Sequence, residues 1–189
     1  MDSVTSLILP GLGNSGPEHW QSYWERQDSM CRRVLQAEWD APRCSDWIAS
    51  LDDAVATETA SVVLVAHSSA CALVAHWARA AIAPHLARVR GALLVAPSDP
   101  EGPHYPTGPT GFEPVPLERL PFPSVVVASA DDMYISLERA KGYADAWGSR
   151  FVDVGSLGHI NSASGLGAWP AGYALLGELR AASAVVRDA

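Results

Sequence analysis

One serine in this chain stands where a serine can become a nucleophile. The apolar run 62–65 predicts a buried strand and a helical pattern starts at residue 69, so Ser68 lies at the apex of a strand, turn and helix. Such a turn holds its serine in a strained conformation and requires small residues two positions before and after it. Ala66 and Ala70 meet that requirement. The pattern therefore predicts nucleophilic catalysis at Ser68.

A serine hydroxyl needs a base beside it, and His159 is the candidate. It follows a predicted strand at 151–154, in a loop whose glycines allow the imidazole to turn back over the end of the sheet. We interpret His67 and His76, which lie near Ser68 in the sequence, as structural residues. No partner pattern accompanies the other three histidines, which are His19, His85 and His104.

Three carboxylates compete to be the acid that orients this imidazole. Asp131 and Asp132 follow a predicted strand at 125–129, and Asp99 follows a predicted strand at 89–96. All three are expected at the same edge of the sheet, so the residues alone leave the choice open. The chain order serine, acid, histidine is typical of α/β hydrolases.

Two backbone amides are predicted to hold the oxyanion that forms when a serine attacks a carbonyl group. The helix that begins at Ser69 presents its first amide and the positive end of its dipole to the reaction centre. The second amide is assigned to Leu12, because the glycines of the turn 10–13 allow a close approach of the backbone to a substrate.

The elements that must position these residues alternate along the chain. Apolar runs predict strands at 4–9, 34–39, 62–66, 89–96, 125–129 and 151–154. Amphipathic patterns predict helices at 17–26, 45–58, 69–82, 137–147 and 167–182, with Ser45 as the N-cap of the second. We therefore expect a doubly wound, three-layer α/β fold with a mostly parallel sheet of about six strands.

No second module is indicated, and we expect one domain over residues 1–189. The segment 100–123 contains eight prolines and three glycines, which excludes a long helix. It is predicted to be a loop, too short and too rich in proline to form a helical cap over the site. The site is accordingly expected to be open and shallow, which favours small substrates.

Composition excludes several classes of function. The net charge of −8 and the pI near 5.1 argue against binding to nucleic acid or to anionic membranes. The start of the chain lacks the features of a signal peptide or a membrane span, which predicts a cytoplasmic protein. The three cysteines form neither a disulfide framework nor a zinc motif. We expect no metal and no organic cofactor.

A different class of function is suggested by residues 11–16, which form a G-x-G-x-x-G pattern after a strand. Its glycines are Gly11, Gly13 and Gly16, and the acids Glu38 and Asp40 end the next predicted strand. The pattern is typical of dinucleotide-binding oxidoreductases. Against it, Pro17 is predicted to be the first helical residue, so that the helix begins after the third glycine rather than near the second. A third alternative is a binding protein with a hydrolase fold and weak catalysis.

Four segments taken together carry a resemblance to a known family: residues 9–21, the turn 66–70, the acid pair 131–132 and residues 158–159. In these segments the chain resembles the small bacterial serine hydrolases related to retinoblastoma-binding protein nine. The resemblance implies Ser68 as nucleophile, His159 as base and Asp132 as acid, within an α/β-hydrolase fold. Together with the open site predicted from segment 100–123, this favours hydrolysis of small or short-acyl carboxylic esters, with amides or peptides as a second class.

Overall fold

Six parallel strands run through the middle of the molecule as one sheet. The structure is a computed structural model and describes residues 4–185. The strands are β1 (Val4–Leu9), β2 (Cys31–Arg33), β3 (Ser61–His67), β4 (Val89–Val95), β5 (Ser124–Ala128) and β6 (Arg150–Asp153). Their order across the sheet is β2-β1-β3-β4-β5-β6, so all their carboxyl ends lie at one edge.

Helices cover both faces of this sheet. They are α1 (Trp20–Gln27), α2 (Cys44–Thr57), α3 (Ser69–Ala80), α4 (Ala83–Leu86), α5 (Leu137–Trp147) and α6 (Pro170–Val185). Side chains alternate along β3: Leu64 packs in the core with α2, α3 and α5, while Val63 and Val65 pack in the core with α1 and α6. The predicted three-layer α/β fold is confirmed, and its sheet is wholly parallel.

The second strand is not where it was predicted. The run 34–39 was expected to be a strand, but β2 ends at Arg33 and Leu35 is 76% exposed. This strand lies at the edge of the sheet, where it has one neighbour and half of its surface can meet solvent. An edge strand does not need a continuous apolar run, so the charged residues of β2 concealed it.

Three helix starts were also wrong. The first helix begins at Trp20 rather than Pro17, because His19 caps it by accepting a hydrogen bond from the Gln21 amide. The second begins at Cys44, so Ser45 lies inside its first turn and is not the N-cap. The last begins at Pro170 instead of residue 167, since Gly167 and Trp169 have positive φ angles.

The segment between β4 and β5 is a loop, as predicted. It contains no helix or strand between residues 100 and 123, and its one bridge joins Thr110 to Arg43. The loop is anchored by buried apolar side chains, among them Phe112 and Phe122. It therefore forms a fixed wall beside the carboxyl edge of the sheet.

Candidate active site

Ser68 lies at the junction between β3 and α3, in the conformation that the turn imposes. Its φ of 61° and ψ of −129° fall where residues other than glycine are rare. The Ser68 amide donates to the carbonyl of Val95 on the neighbouring strand at 3.0 Å, which secures the backbone. Ala66 and Ala70 are completely buried on either side, so the crowded turn has no room for larger side chains.

The structure brings His159 and Asp132 to this serine. His159 Nε2 lies 2.9 Å from Ser68 Oγ, and His159 Nδ1 lies 2.7 Å from Asp132 Oδ2. The Asp132 side chain is fully buried and that of His159 is 9% exposed, so water screens neither contact strongly. A continuous hydrogen-bonded chain thus runs from a buried carboxylate through an imidazole to a serine hydroxyl.

Neither competing carboxylate contacts the imidazole. Asp131 accepts hydrogen bonds from the Ser129 hydroxyl and the Gly158 amide, and these lower the pKa of its carboxyl group. Asp99 accepts hydrogen bonds from the Tyr143 hydroxyl at 2.8 Å and the Arg139 guanidinium at 3.1 Å. Of the three aspartates, Asp132 is the one hydrogen-bonded to the His159 imidazole, a contact that the residues alone did not show.

The loop that carries His159 is held by contacts on both sides. The His67 ring donates from Nε2 to the His159 carbonyl at 3.0 Å, and Trp20 Nε1 donates to the Ile160 carbonyl at 2.8 Å. Ile160 is fully buried with a φ of 46°, a strained conformation for a β-branched residue. The surrounding packing thus fixes the backbone on which the imidazole depends.

The predicted oxyanion donors lie next to the nucleophile. A Cβ atom on Gly11 would stand 2.6 Å from Ser68 Cβ, so only glycine lets the turn after β1 approach this closely. The next residue, Leu12, lines the same recess as Ser68. Ser69 is the first residue of α3, where backbone amides have no partner within the helix. The assignment of Leu12 and Ser69 as oxyanion donors stays a prediction.

These groups open into a recess of about 380 Å³. Ser68 lines this recess and is 9% exposed, and the open, shallow site expected from the sequence stays a prediction. Pro106 of the proline-rich loop supplies part of the wall. The lining contains no aspartate, glutamate, lysine or arginine, and its polar members besides Ser68 and His159 include Asn14, His19, His67, Ser98, Tyr134 and Asn161.

Sequence reasoning missed several residues of this lining. Ser98 Oγ lies 2.8 Å from Ser68 Oγ, and Tyr134 packs its ring edge-on to His159. His19 and His67 pack edge to face on the same wall, with ring centroids 4.6 Å apart and an angle of 71° between the ring planes. Ser98 was detectable, because it follows β4 at the carboxyl edge of the sheet. The contacts of His19 and His67 join distant segments, so sequence spacing gave no sign of them.

Three large side chains of α1 and of the loops after β4 and β5 have separate positions. Trp20 is buried under the His159 loop, and the Tyr105 hydroxyl donates to Ser69 Oγ at 3.1 Å. Met133 is 62% exposed. His85 does have a partner, since its Nδ1 lies 2.8 Å from an oxygen of Asp52.

The glycine pattern 11–16 lacks the geometry of a dinucleotide site. Helix α1 starts four residues after Gly16, so its first amides do not face the glycine turn. Arg33 occupies this loop instead, donating to Asn14 Oδ1 and to the Ser15 carbonyl. Glu38 and Asp40 lie in a loop after β2 and do not end a strand.

The part of the chain that the structure describes presents neither a metal-binding cluster nor a membrane-spanning helix. Across 4–185, no group of three or more histidine, cysteine, aspartate or glutamate side chains is placed to hold a metal ion. Within the same range, no helix is both long and apolar enough to span a membrane.

Comparison with known proteins identifies the family. The family model described as serine hydrolase matches residues 6–178, which include Ser68, Asp132 and His159. This chain belongs to the serine hydrolase family. A comparison with curated proteins gave no match.

Several solved structures share the fold of this chain, and one of them is more than 30% identical to it. A protein from Pectobacterium atrosepticum described as a YdeN-like hydrolase is 31% identical, with a TM-score of 0.84, and the match covers 96% of this chain and 92% of that one. The ydeN gene product of B. subtilis is 18% identical with a TM-score of 0.69, covering 94% and 98%. A thermophilic esterase from Thermogutta terrifontis shares the fold at 15% identity, with a TM-score of 0.66 and coverage of 96% and 91%.

The burial of His19 makes the stability of this serine hydrolase sensitive to acid. Burial, followed by the nearby charge of Arg33, lowers the pKa of His19 from 6.5 to about 3. The folded protein therefore keeps this ring neutral at pH 5, whereas the unfolded chain protonates it. Protons favour the unfolded chain, so the free energy of unfolding falls as the pH drops below 6.5.

We expect His19→Asn to remove this part of the acid sensitivity while retaining a side-chain acceptor for the Gln21 amide. Urea unfolding at pH 7 and pH 5 measures the loss of unfolding free energy between the two conditions. That loss should be smaller by about 2 kcal/mol in the variant than in the wild type. An identical loss in both proteins would show that His19 does not carry the effect.

Proposed function

We propose that this serine hydrolase cleaves small or short-acyl carboxylic esters, with Ser68 as nucleophile, His159 as general base and Asp132 as the acid that orients the base. The observation that carries the proposal is the hydrogen-bonded chain of 2.7 Å and 2.9 Å that joins the three side chains. Its terminal hydroxyl belongs to a serine with a φ of 61° at a helix N-terminus. Membership of the family supports a hydrolytic role for this arrangement.

The positions of the protons follow from the hydrogen bonds. A carboxylate can only accept, so Nδ1 of His159 carries the hydrogen that Asp132 receives. In the neutral imidazole Nε2 is then an acceptor for the Ser68 hydroxyl. As Ser68 Oγ attacks the ester carbon, His159 takes its proton and Asp132 stabilises the imidazolium that forms.

The reaction is completed in two steps on the same groups. The negative charge on the carbonyl oxygen is held by the amides of Leu12 and Ser69, and the imidazolium then gives its proton to the departing alcohol. Water enters and loses a proton to His159 as its oxygen bonds to the acyl carbon. The carbon–Oγ bond breaks, the proton passes to Oγ, and the carboxylic acid leaves.

The recess limits the class of substrate. The recess of about 380 Å³ is near the lower end of the range of volumes of ligand pockets. It therefore suits a small ester better than an ester with a long acyl chain. Its uncharged polar lining offers no fixed counter-ion to an ionic substrate. Small neutral esters are therefore the preferred class, and small amides come second. An esterase among the proteins that share the fold is in keeping with this choice.

Two alternative functions, a dinucleotide-dependent oxidoreductase and a binding protein, can be distinguished from a hydrolase. A dinucleotide-dependent oxidoreductase would need the glycine pattern to open onto a helix N-terminus, whereas α1 begins only at Trp20. A binding protein with this fold would have no need of the aligned contacts from Asp132 to Ser68. Chemical reactivity of the serine separates hydrolysis from binding without knowledge of the natural substrate.

Replacing the nucleophile should abolish both catalysis and labelling. We expect Ser68→Ala to lower kcat for a short-chain ester by about 10⁶-fold, as removal of a triad serine does elsewhere. Labelling by a fluorophosphonate probe should map to Ser68 in the wild type and disappear in the variant. Because alanine is compatible with a buried turn, an unchanged thermal midpoint should accompany the loss. Persistent labelling, or labelling at Ser69, would contradict the assignment.

Replacing the acid should separate Asp132 from its neighbours. We expect Asp132→Asn to lower kcat by about 10⁴-fold, because an amide stabilises the wrong imidazole tautomer and carries no charge to balance the imidazolium. Asp131→Asn and Asp99→Asn each remove one charge as well, but neither carboxylate is hydrogen-bonded to the His159 imidazole, so each should lower kcat far less than Asp132→Asn does. Equal losses in all three variants would indicate a general electrostatic effect. A severe loss in Asp99→Asn alone would move the acid to the end of β4.

A further inference from the structure

A second serine hydroxyl touches the nucleophile, and neither the family match nor the proposed triad gives it a role. Ser98 follows β4, is 3% exposed and lines the recess. Its Oγ lies 2.8 Å from Ser68 Oγ. This distance is similar to the 2.9 Å between His159 Nε2 and Ser68 Oγ. The reacting oxygen therefore has two hydrogen-bond partners.

The position of Ser98 is fixed by the residue that follows it. The Asp99 carboxylate is held by the Tyr143 hydroxyl and the Arg139 guanidinium. The Asp99 amide donates to the carbonyl of Tyr134 at 3.2 Å, in the loop that follows β5. Because these contacts secure the backbone on one side of Ser98 and β4 secures the other, its hydroxyl is held against Ser68.

The hydrogens available in the site decide which serine donates to the other. In the neutral site, Asp132 receives the hydrogen of His159 Nδ1, and His159 Nε2 receives the single hydroxyl hydrogen of Ser68. Ser68 has no other hydrogen to give. The contact of 2.8 Å must therefore be a hydrogen bond from the Ser98 hydroxyl to Ser68 Oγ.

We propose that Ser98 is a catalytic residue for release of the acyl group: its hydroxyl stabilises Ser68 Oγ as that oxygen becomes the leaving group. The inference rests on the proposed function, since it concerns the same acyl-enzyme. In this step the bond from the water oxygen to the acyl carbon has formed and the carbon–Oγ bond breaks. Oγ recovers a proton from the His159 imidazolium while Ser98 donates to a lone pair of Oγ.

The hydrogen bond acts on release of the acyl group because the acceptor changes during the cycle. In the acyl-enzyme Oγ is an ester oxygen, which is a weak acceptor, and as it departs it becomes an alcohol-like oxygen with more negative charge. An interaction accelerates a step when it is stronger in the transition state of that step than in the state that precedes it. In the acylation step Oγ is already a good acceptor in the free enzyme, so the bond gives little acceleration there.

Ser98→Ala should therefore slow deacylation and leave acylation nearly unchanged. The experiment supplies saturating p-nitrophenyl acetate, quenches the steady state in acid and measures by intact mass the fraction of protein that carries one acetyl group on Ser68. Loss of one hydrogen bond corresponds to roughly a three- to tenfold change in rate. We expect the ratio of acetylated to free enzyme to rise about that much, while kcat/KM stays within about twofold.

Two further variants separate this effect from a general loss of order. Ser98→Thr retains a hydroxyl and should return the ratio towards the wild-type value. Ser124→Ala removes a hydroxyl from another close serine pair, in which Ser124 Oγ lies 2.6 Å from Ser149 Oγ. This pair lies at the end of β5 opposite to the loop that bears Asp132. The variant should therefore leave the ratio of acetylated to free enzyme unchanged.

The results for Ser98→Ala test the role of Ser98, and the result for the wild type tests the proposed function. An unchanged ratio in Ser98→Ala, or a kcat/KM that falls as far as deacylation does, would overturn the role of Ser98 and leave the proposed function standing. Absence of any acetyl group on Ser68 in the wild type, together with absence of turnover, would instead overturn the proposed function.

Discussion

The conformation of Ser68 is the constraint on which the rest of the site depends. With a φ of 61° the serine occupies a region that is costly for residues with a side chain, so the surrounding structure must hold it there. The hydrogen bond to the Val95 carbonyl and the close packing of Ala66 and Ala70 do so. The same crowding requires glycine at position 11, where a Cβ atom would collide with Ser68.

The edge of the sheet that bears the proposed catalytic residues is assembled by contacts between loops rather than by any single element. Ser129 after β5 accepts a hydrogen bond from the Leu157 amide and donates to Asp131, which accepts from the Gly158 amide. The loop bearing Asp132 is thereby tied to the loop bearing His159, which explains how two irregular segments hold a contact of 2.7 Å. In the proposed assignment, Asp131 is a residue that joins the two loops.

Sequence patterns predicted those elements whose ends carry a local signal. Helix α5 occupies the predicted range 137–147, because Ser136 caps its start and Gly148, with a φ of 69°, ends it. The strand β2 was misplaced because it lies at the edge of the sheet, with one neighbouring strand, and does not need a continuous apolar run. The start of α6 was misplaced because Trp169 has a positive φ although it is not a glycine.

The residues of the site were likewise predictable only where the sequence around them carries a local signal. Ser68 was predicted from a local turn, His159 from its place after a strand, and Asp132 only from the family resemblance. The geometry that separates Asp132 from Asp131 and Asp99 depends on where β4, β5 and β6 lie side by side, which the linear pattern did not show. Ser98 was overlooked because its partner, Ser68, is thirty positions away in the sequence.

The most direct test of the account is a crystal structure of the protein after reaction with a fluorophosphonate. The account predicts phosphorus bonded to Ser68 Oγ, with the phosphoryl oxygen within about 2.7–3.1 Å of the Leu12 and Ser69 amides. His159 should remain hydrogen-bonded to Asp132. Phosphorus on another residue would contradict Ser68 as the nucleophile, and a phosphoryl oxygen turned away from both amides would contradict the oxyanion site.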